Sequence, residues 1–152
     1  MTLRLTASAT VRAAPARVWA ELTDWAGQRR WIPFTTVRVA DPVTGIGVRA
    51  DALSGFWLGR VPIGLLDRFV VTDWTPPGDD AGSLEVLHLG PYFTGPGAFT
   101  VTAVPAGARV DCVEMFDLPG GRLSETAATL VLPLMSRGFA YSLRRLAAIC
   151  EN

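Results

Sequence analysis

A chain of 152 residues, 49% of them hydrophobic and only 18% charged, can bury a core, or a core with a hole in it, and lacks the charge excess of a disordered segment. Its 14 basic residues, all arginine, balance 14 acidic ones, and no basic run stands free of apolar neighbours. That excludes a phosphate-tracking surface, and the lack of any run near 18 apolar residues argues against a membrane span. Cys112 and Cys150 are far apart among apolar residues, as expected for two buried thiols of a reducing compartment and not for a disulfide framework. Arg4, Thr6, Ser8 and Thr10 interrupt any apolar stretch of a secretory leader, so the expected location is the cytoplasm.

Leu3, Leu5, Ala7, Ala9 and Val11 alternate with polar residues and predict a half-buried first strand. Pro15 suits the first position of a helix carrying Val18, Trp19 and Leu22 on one face, and Gly27 separates off a second short turn ending at Pro33. Strands are expected at Thr35 to Ala40, Val48 to Leu53, Leu65 to Trp74, Ser83 to Leu89, Ala98 to Val104 and Arg109 to Leu118, with short Gly/Pro turns implying antiparallel hairpins. "SGFWLGRVPIG", with many Gly and Pro but large apolar residues, reads as a structured loop, and "GPYFTGPG" reads as a break. In the tail, Met135, Phe139, Leu143, Leu146 and Cys150 recur at helical steps. They predict a long amphipathic helix with Ser124 as N-cap, and with Pro133 marking a kink or a fresh start.

Between Val18 and Pro33 the stretch "VWAELTDWAGQRRWIP" holds Trp19, Trp25 and Trp31, interrupted by Gly27, Gln28, Arg29 and Arg30. Rings so placed must pack against something outside their own helix. Two readings stand: a helical lid over an apolar cavity, or simple core filling.

The order strand, two short helices, six strands, long helix resembles the START-like (birch-allergen-like, helix-grip) superfamily, in particular its polyketide cyclase/dehydrase and lipid-transport branch. The marks are "PARVWAELTDWAGQRRWIP" after strand one, "GIG" before strand three, "VVTDWTPPG" closing strand four, "GARV" opening the last strand and "SLRRLAAICE" at the end. Ala14 departs from the Ser or Asn helix cap common in relatives. The resemblance implies an α+β helix-grip fold over residues 1–152 as a single ligand-binding domain: a curved seven-stranded antiparallel sheet around the C-terminal helix, with an internal cavity. The expected volume is several hundred cubic ångströms.

Candidates for chemistry are few. His88 is the only histidine, and any conventional general base must use it; read blandly, it is a strand residue satisfied by a neighbour or by water. No ligand spacing suggests a metal, and no cofactor is expected. In "VDCVEMF" one strand face carries Val110, Cys112, Glu114 and Phe116 and the other Asp111, Val113, Met115 and Asp117. If the first set faces inward, Glu114 is a carboxylate in an apolar cavity, paired with His88, Tyr141, Arg49 or Arg60. If the second does, Glu114 is a solvated surface residue.

Phe56 and Trp57 in "GFWLGR", and Tyr92 and Phe93 in "GPYFTG", are candidate gate rings, with core caps as the alternative. Trp31 and Tyr141 complete the candidate ligand-binding set of Trp31, Phe56, Trp57, His88, Tyr92, Phe93, Glu114 and Tyr141, within which His88, Glu114 and Tyr141 are the catalytic candidates. The leading reading is a binder of a lipid, polyketide or aromatic metabolite. Its rivals are a cyclase, aromatase or dehydratase, and a protein-interaction module with a collapsed cavity. A protein partner or a homodimer stays open.

Overall fold

The computed structural model describes residues 2–152, and the side chains of all but 122–125 and 131. Seven strands form one antiparallel sheet: β1 (Thr2–Val11), β2 (Thr35–Val39), β3 (Arg49–Leu58), β4 (Val61–Thr75), β5 (Gly82–Pro91), β6 (Thr94–Val104) and β7 (Gly107–Asp117), in the order β1-β7-β6-β5-β4-β3-β2. Helix α1 (Pro15–Leu22) and a 3₁₀ turn (Ala26–Arg30) follow β1, and helix α2 (Gly121–Cys150) ends the chain. This is the expected helix grip. Bulges in the β4–β5 ladder, between Asp67 and Phe69 and between Val71 and Asp73, accompany the bending of the sheet around the helix.

The concave face and α2 share the core. Leu143, Leu146, Ala147 and Cys150 pack with Val18, Leu22, Val101 and Val110, while Met135 and Phe139 lean on Leu3, Leu5 and Phe116. The short helices are fixed at both ends: the Arg145 guanidinium donates to the Arg30 carbonyl at 2.7 Å, and Trp25 Nε1–H donates to the Val43 carbonyl at 2.9 Å. Ala14 provides no side-chain cap, and Pro15 opens α1 in its place. Cys112 and Cys150 are both free and buried.

Three expectations need correction. The supposed loop at "SGFWLGRVPIG" is the continuation of β3 and β4 into a projecting hairpin, paired in register as far as Leu58 and Val61. Its glycines enable the ladder: Gly55 and Gly64 stand opposite each other at φ 151° and 137°, and a methyl group on Gly55 would overlap the Ile63 carbonyl. β6 likewise begins at Thr94, well before Ala98, for a reason that lies in the site. Helix α2 starts at Gly121 after Gly120 and runs without a break through Pro133, so Ser124 is inside the helix, its side chain outside the described residues.

Leu143 is fully buried between sheet and helix, whereas Leu134 on the same helix is 69% exposed. Leu143→Ala should cost about 2–5 kcal/mol in thermal or denaturant unfolding, and Leu134→Ala well under about 1 kcal/mol. Equal losses would mean that α2 does not dock through this stripe.

Candidate functional site

The grip is not filled. A cavity of about 190 Å³ lies between the sheet, the 3₁₀ turn and the middle of α2. It is smaller than expected because large rings occupy the grip: Trp25, Trp31, Phe69, Phe99, Phe116 and Phe139 all reach its wall.

Into this apolar space the sheet places one charged cluster. Alternation along β4 turns Leu65, Asp67 and Phe69 inward, along β5 Leu84, Val86 and His88, and along β7 Val110, Cys112, Glu114 and Phe116. Of the two faces left open for β7, the Glu114 face is the buried one, at 3% exposure, while Met115 on the other is 37% exposed. His88 Nδ1–H donates to Asp67 at 2.8 Å (Oδ1) and 2.9 Å (Oδ2), and Nε2–H donates to Glu114 Oε2 at 2.9 Å. The second Glu114 oxygen accepts from the Cys112 thiol at 3.8 Å. Phe69, Phe93 and Phe116 surround the imidazole, with centroids 6.2, 5.2 and 6.0 Å away.

β7 and β5 are not neighbours; β6 runs between them. Glu114 reaches His88 only because its cross-strand partner on β6 is Gly97, and a methyl group there would overlap the carboxylate. Gly95 and Gly97, which read as part of a break in "GPYFTGPG", therefore belong to β6, and at Gly97 its inner face is left bare for a side chain of the next strand to cross.

Burial opposes charge on the imidazole, but hydrogen bonds and charges from Asp67 and Glu114 outweigh it and raise the His88 pKa to about 9. Burial raises the Glu114 carboxyl above its ordinary range, with the hydrogen bond and charge of His88 pulling the other way. Burial, then the Glu114 charge, push the Cys112 thiol up, so it stays protonated. Both ring nitrogens of His88 are thus engaged by carboxylates. Among the described residues no three His, Cys, Asp or Glu side chains are arranged to hold a metal ion, since the His88 ring stands between the two carboxylates.

Of the residues singled out from sequence, Trp31, His88, Phe93 and Glu114 line the cavity. Four others do not. Tyr141 is 45% exposed on α2, away from the core stripe, with Arg144 and Arg145 about its ring. Tyr92, at 49% exposure, lies on the turn after β5. Trp57 is on the outer sheet face beneath the Arg38 guanidinium, 3.7 Å from the ring centroid, and Phe56 is 61% exposed on the projecting hairpin. Arg49 and Arg60, the arginines offered as partners for Glu114, are exposed. Trp25 and Trp31 do face the cavity, whereas Trp19 packs edge-on against Trp74 at 5.5 Å. Sequence reasoning missed Asp67, Gln28 and Gly97. Asp67 was within reach, because alternation with Phe69 sets it on the buried face of β4.

Gly97→Ala should displace the Glu114 carboxylate and lower stability by about 1–3 kcal/mol. Gly138→Ala, where an added methyl meets nothing within 4 Å, should be neutral or slightly stabilising. A Gly97→Ala protein as stable as the parent would mean that Glu114 does not need that gap. A second expectation concerns pH. The folded-state pKa of His88, about 9, lies above the ordinary 6.5, so its stabilisation is complete below pH 6.5 and is lost as pH rises through 9. Stability should fall across that window by on the order of 3 kcal/mol, and His88→Gln should flatten the slope. An unchanged slope in the variant would assign the effect elsewhere.

The sequence profile of the family described as polyketide cyclase/dehydrase and lipid transport matches residues 2–151. No curated protein matches the chain by sequence. Among solved structures, TTHA0849 from Thermus thermophilus superposes with a TM-score of 0.75 at 16% identity over 97% of each chain. The Zhui aromatase/cyclase from Streptomyces sp. R1128 gives 0.70 at 16% identity, covering 99% of this chain and 94% of that one. The di-domain aromatase/cyclase StfQ of the steffimycin biosynthetic pathway gives 0.72 at 14% identity, covering 99% of this chain and 51% of that one. At such identities the structures share the fold alone. The profile match over nearly the whole length carries the assignment: the chain belongs to the polyketide cyclase/dehydrase and lipid transport family.

Proposed function

We propose that residues 1–152 work as one helix-grip domain that binds a hydrophobic small molecule, a lipid, polyketide or aromatic metabolite, with a polar end set against Asp67, His88 and Glu114. The observation that carries this reading is a cavity walled mainly by aromatic and aliphatic side chains around a single charged cluster. The rings shed little conformational entropy on binding a flat molecule. The carboxylates give a hydroxyl or amine a buried acceptor. A grip that still holds about 190 Å³ gives no support to a module with a collapsed cavity.

Titration with the neutral fluorophore N-phenyl-1-naphthylamine should show saturable binding and a raised melting temperature, both lost in Ala52→Phe, which puts a ring into the wall of the cavity. 1-Naphthol should bind about tenfold more weakly to Glu114→Gln than to the parent, with naphthalene unaffected. Absence of saturable binding, or binding indifferent to Ala52→Phe, would sink the proposal.

A second reading, a cyclase, aromatase or dehydratase acting on a polyketide-like chain, is favoured by the raised pKa of Glu114 beside an imidazolium in an aromatic cavity. In that reaction Glu114 takes a proton from a carbon between two carbonyls. The carbanion attacks a further carbonyl carbon of the chain, whose oxygen takes that proton from Glu114; loss of the hydroxyl together with the remaining hydrogen of the attacking carbon then releases water and leaves a C=C bond in the ring. Appearance of an aromatic chromophore from a poly-β-ketone thioester, lost in Glu114→Gln, would support it; no chromophore with the parent protein would leave binding alone.

A further inference from the structure

The β3–β4 hairpin projects beyond the cavity with two chemically different faces. The concave side carries Phe56, Leu58, Val61, Ile63 and Leu65, exposed by 61, 67, 56, 42 and 43%. The opposite side carries Arg38 stacked on Trp57 and the Asp51–Arg68 ion pair at 3.7 Å, and the tip is the exposed turn Gly59–Arg60. Five large apolar side chains left bare on one face of one hairpin need a partner, and the face they occupy is the one that runs into the cavity. Leu65 and Ser54 are both cavity wall and exposed surface, so the lining passes without a break from Ala52 and Ser54 outward to Phe56, and from Asp67 and Leu65 outward to Ile63.

We infer that this face is an outer subsite for the same ligand: an apolar chain or ring system too long for the cavity leaves it past Leu65 and lies along Phe56 and Ile63. The inference rests on the proposed binding in the cavity and specifies that ligand as elongated, with its polar end inside and its apolar extension outside. Continuity with the cavity and the confinement of the exposed large apolar residues to the concave side favour this occupant. A membrane-inserting hairpin would carry apolar residues through the turn itself, where Gly59 and the cationic Arg60 stand between Leu58 and Val61.

The test is a series of 4-n-alkylphenols from propyl to dodecyl, competed against N-phenyl-1-naphthylamine with the parent and with a Phe56→Ser/Ile63→Ser double variant. Both positions are exposed, and an unchanged melting temperature verifies the variant's fold. In the parent, affinity should keep rising up to the long members, by as much as about fourfold per methylene. In the variant, the short members should bind as before while the rise stops short. Identical chain-length profiles for the two proteins would overturn the outer subsite and leave the cavity proposal intact, as would a parent profile that levels off at the short members. Failure of the short phenols to bind the parent would overturn both. A parent dimer that the double variant converts to monomer, seen by sedimentation, would reassign the face to a second copy of this chain.

Discussion

The interaction on which the rest of the site depends is the bridge Asp67–His88–Glu114, a charged ring held between two carboxylates on the inside of the sheet. Neither carboxylates nor an imidazolium would be stable alone among phenylalanines; together each supplies the counter-charge and hydrogen bonds that burial removes. The bridge spans four adjacent strands, β4, β5, β6 and β7, and crosses the third at Gly97. Backbone and site are thereby coupled: a strand with a bare stretch on its inner face is needed so that a side chain of its neighbour can lie across it.

Around that bridge the rings do two jobs. Trp25 and Trp31 come from the short segment between β1 and β2, with the Trp25 ring tilted against Phe69 at 5.6 Å and Trp74 at 6.2 Å, so the segment is anchored to the sheet as well as closing the cavity. Phe93 and Phe116 meet edge to face at 4.9 Å beside His88 and keep bulk water from it. Unfilled volume of this kind lowers stability relative to a packed core, so a grip that retains it is consistent with a binding role. The mutual packing of the aromatic walls limits how much space remains.

Much of the fold was legible because its signals are local. Period-two alternation in β1 and β7 and the helical stripe of α2 depend only on which residues meet water. The hairpin beyond Leu53 was not legible, since glycine and proline ordinarily disrupt strands; here Gly55 and Gly64 permit a close approach that only the paired backbone reveals. Alternation could place Glu114 on a face but could not choose the face, and nothing in "VDCVEMF" names a partner two strands away. Tyr141 and Trp57 were misplaced for the same reason. An aromatic residue near an apolar stripe gives no sign of whether it points inward or is covered from outside by an arginine.

Because His88 is the only histidine in the chain, ¹⁵N-histidine labelling yields a single imidazole to observe. At pH 7 both ring nitrogens should carry protons, and the ring should titrate near pH 9, as the flanking carboxylates require. A neutral ring at pH 7, titrating near 6.5, would show that the bridge is not formed as described and would remove the polar anchor from the proposed site.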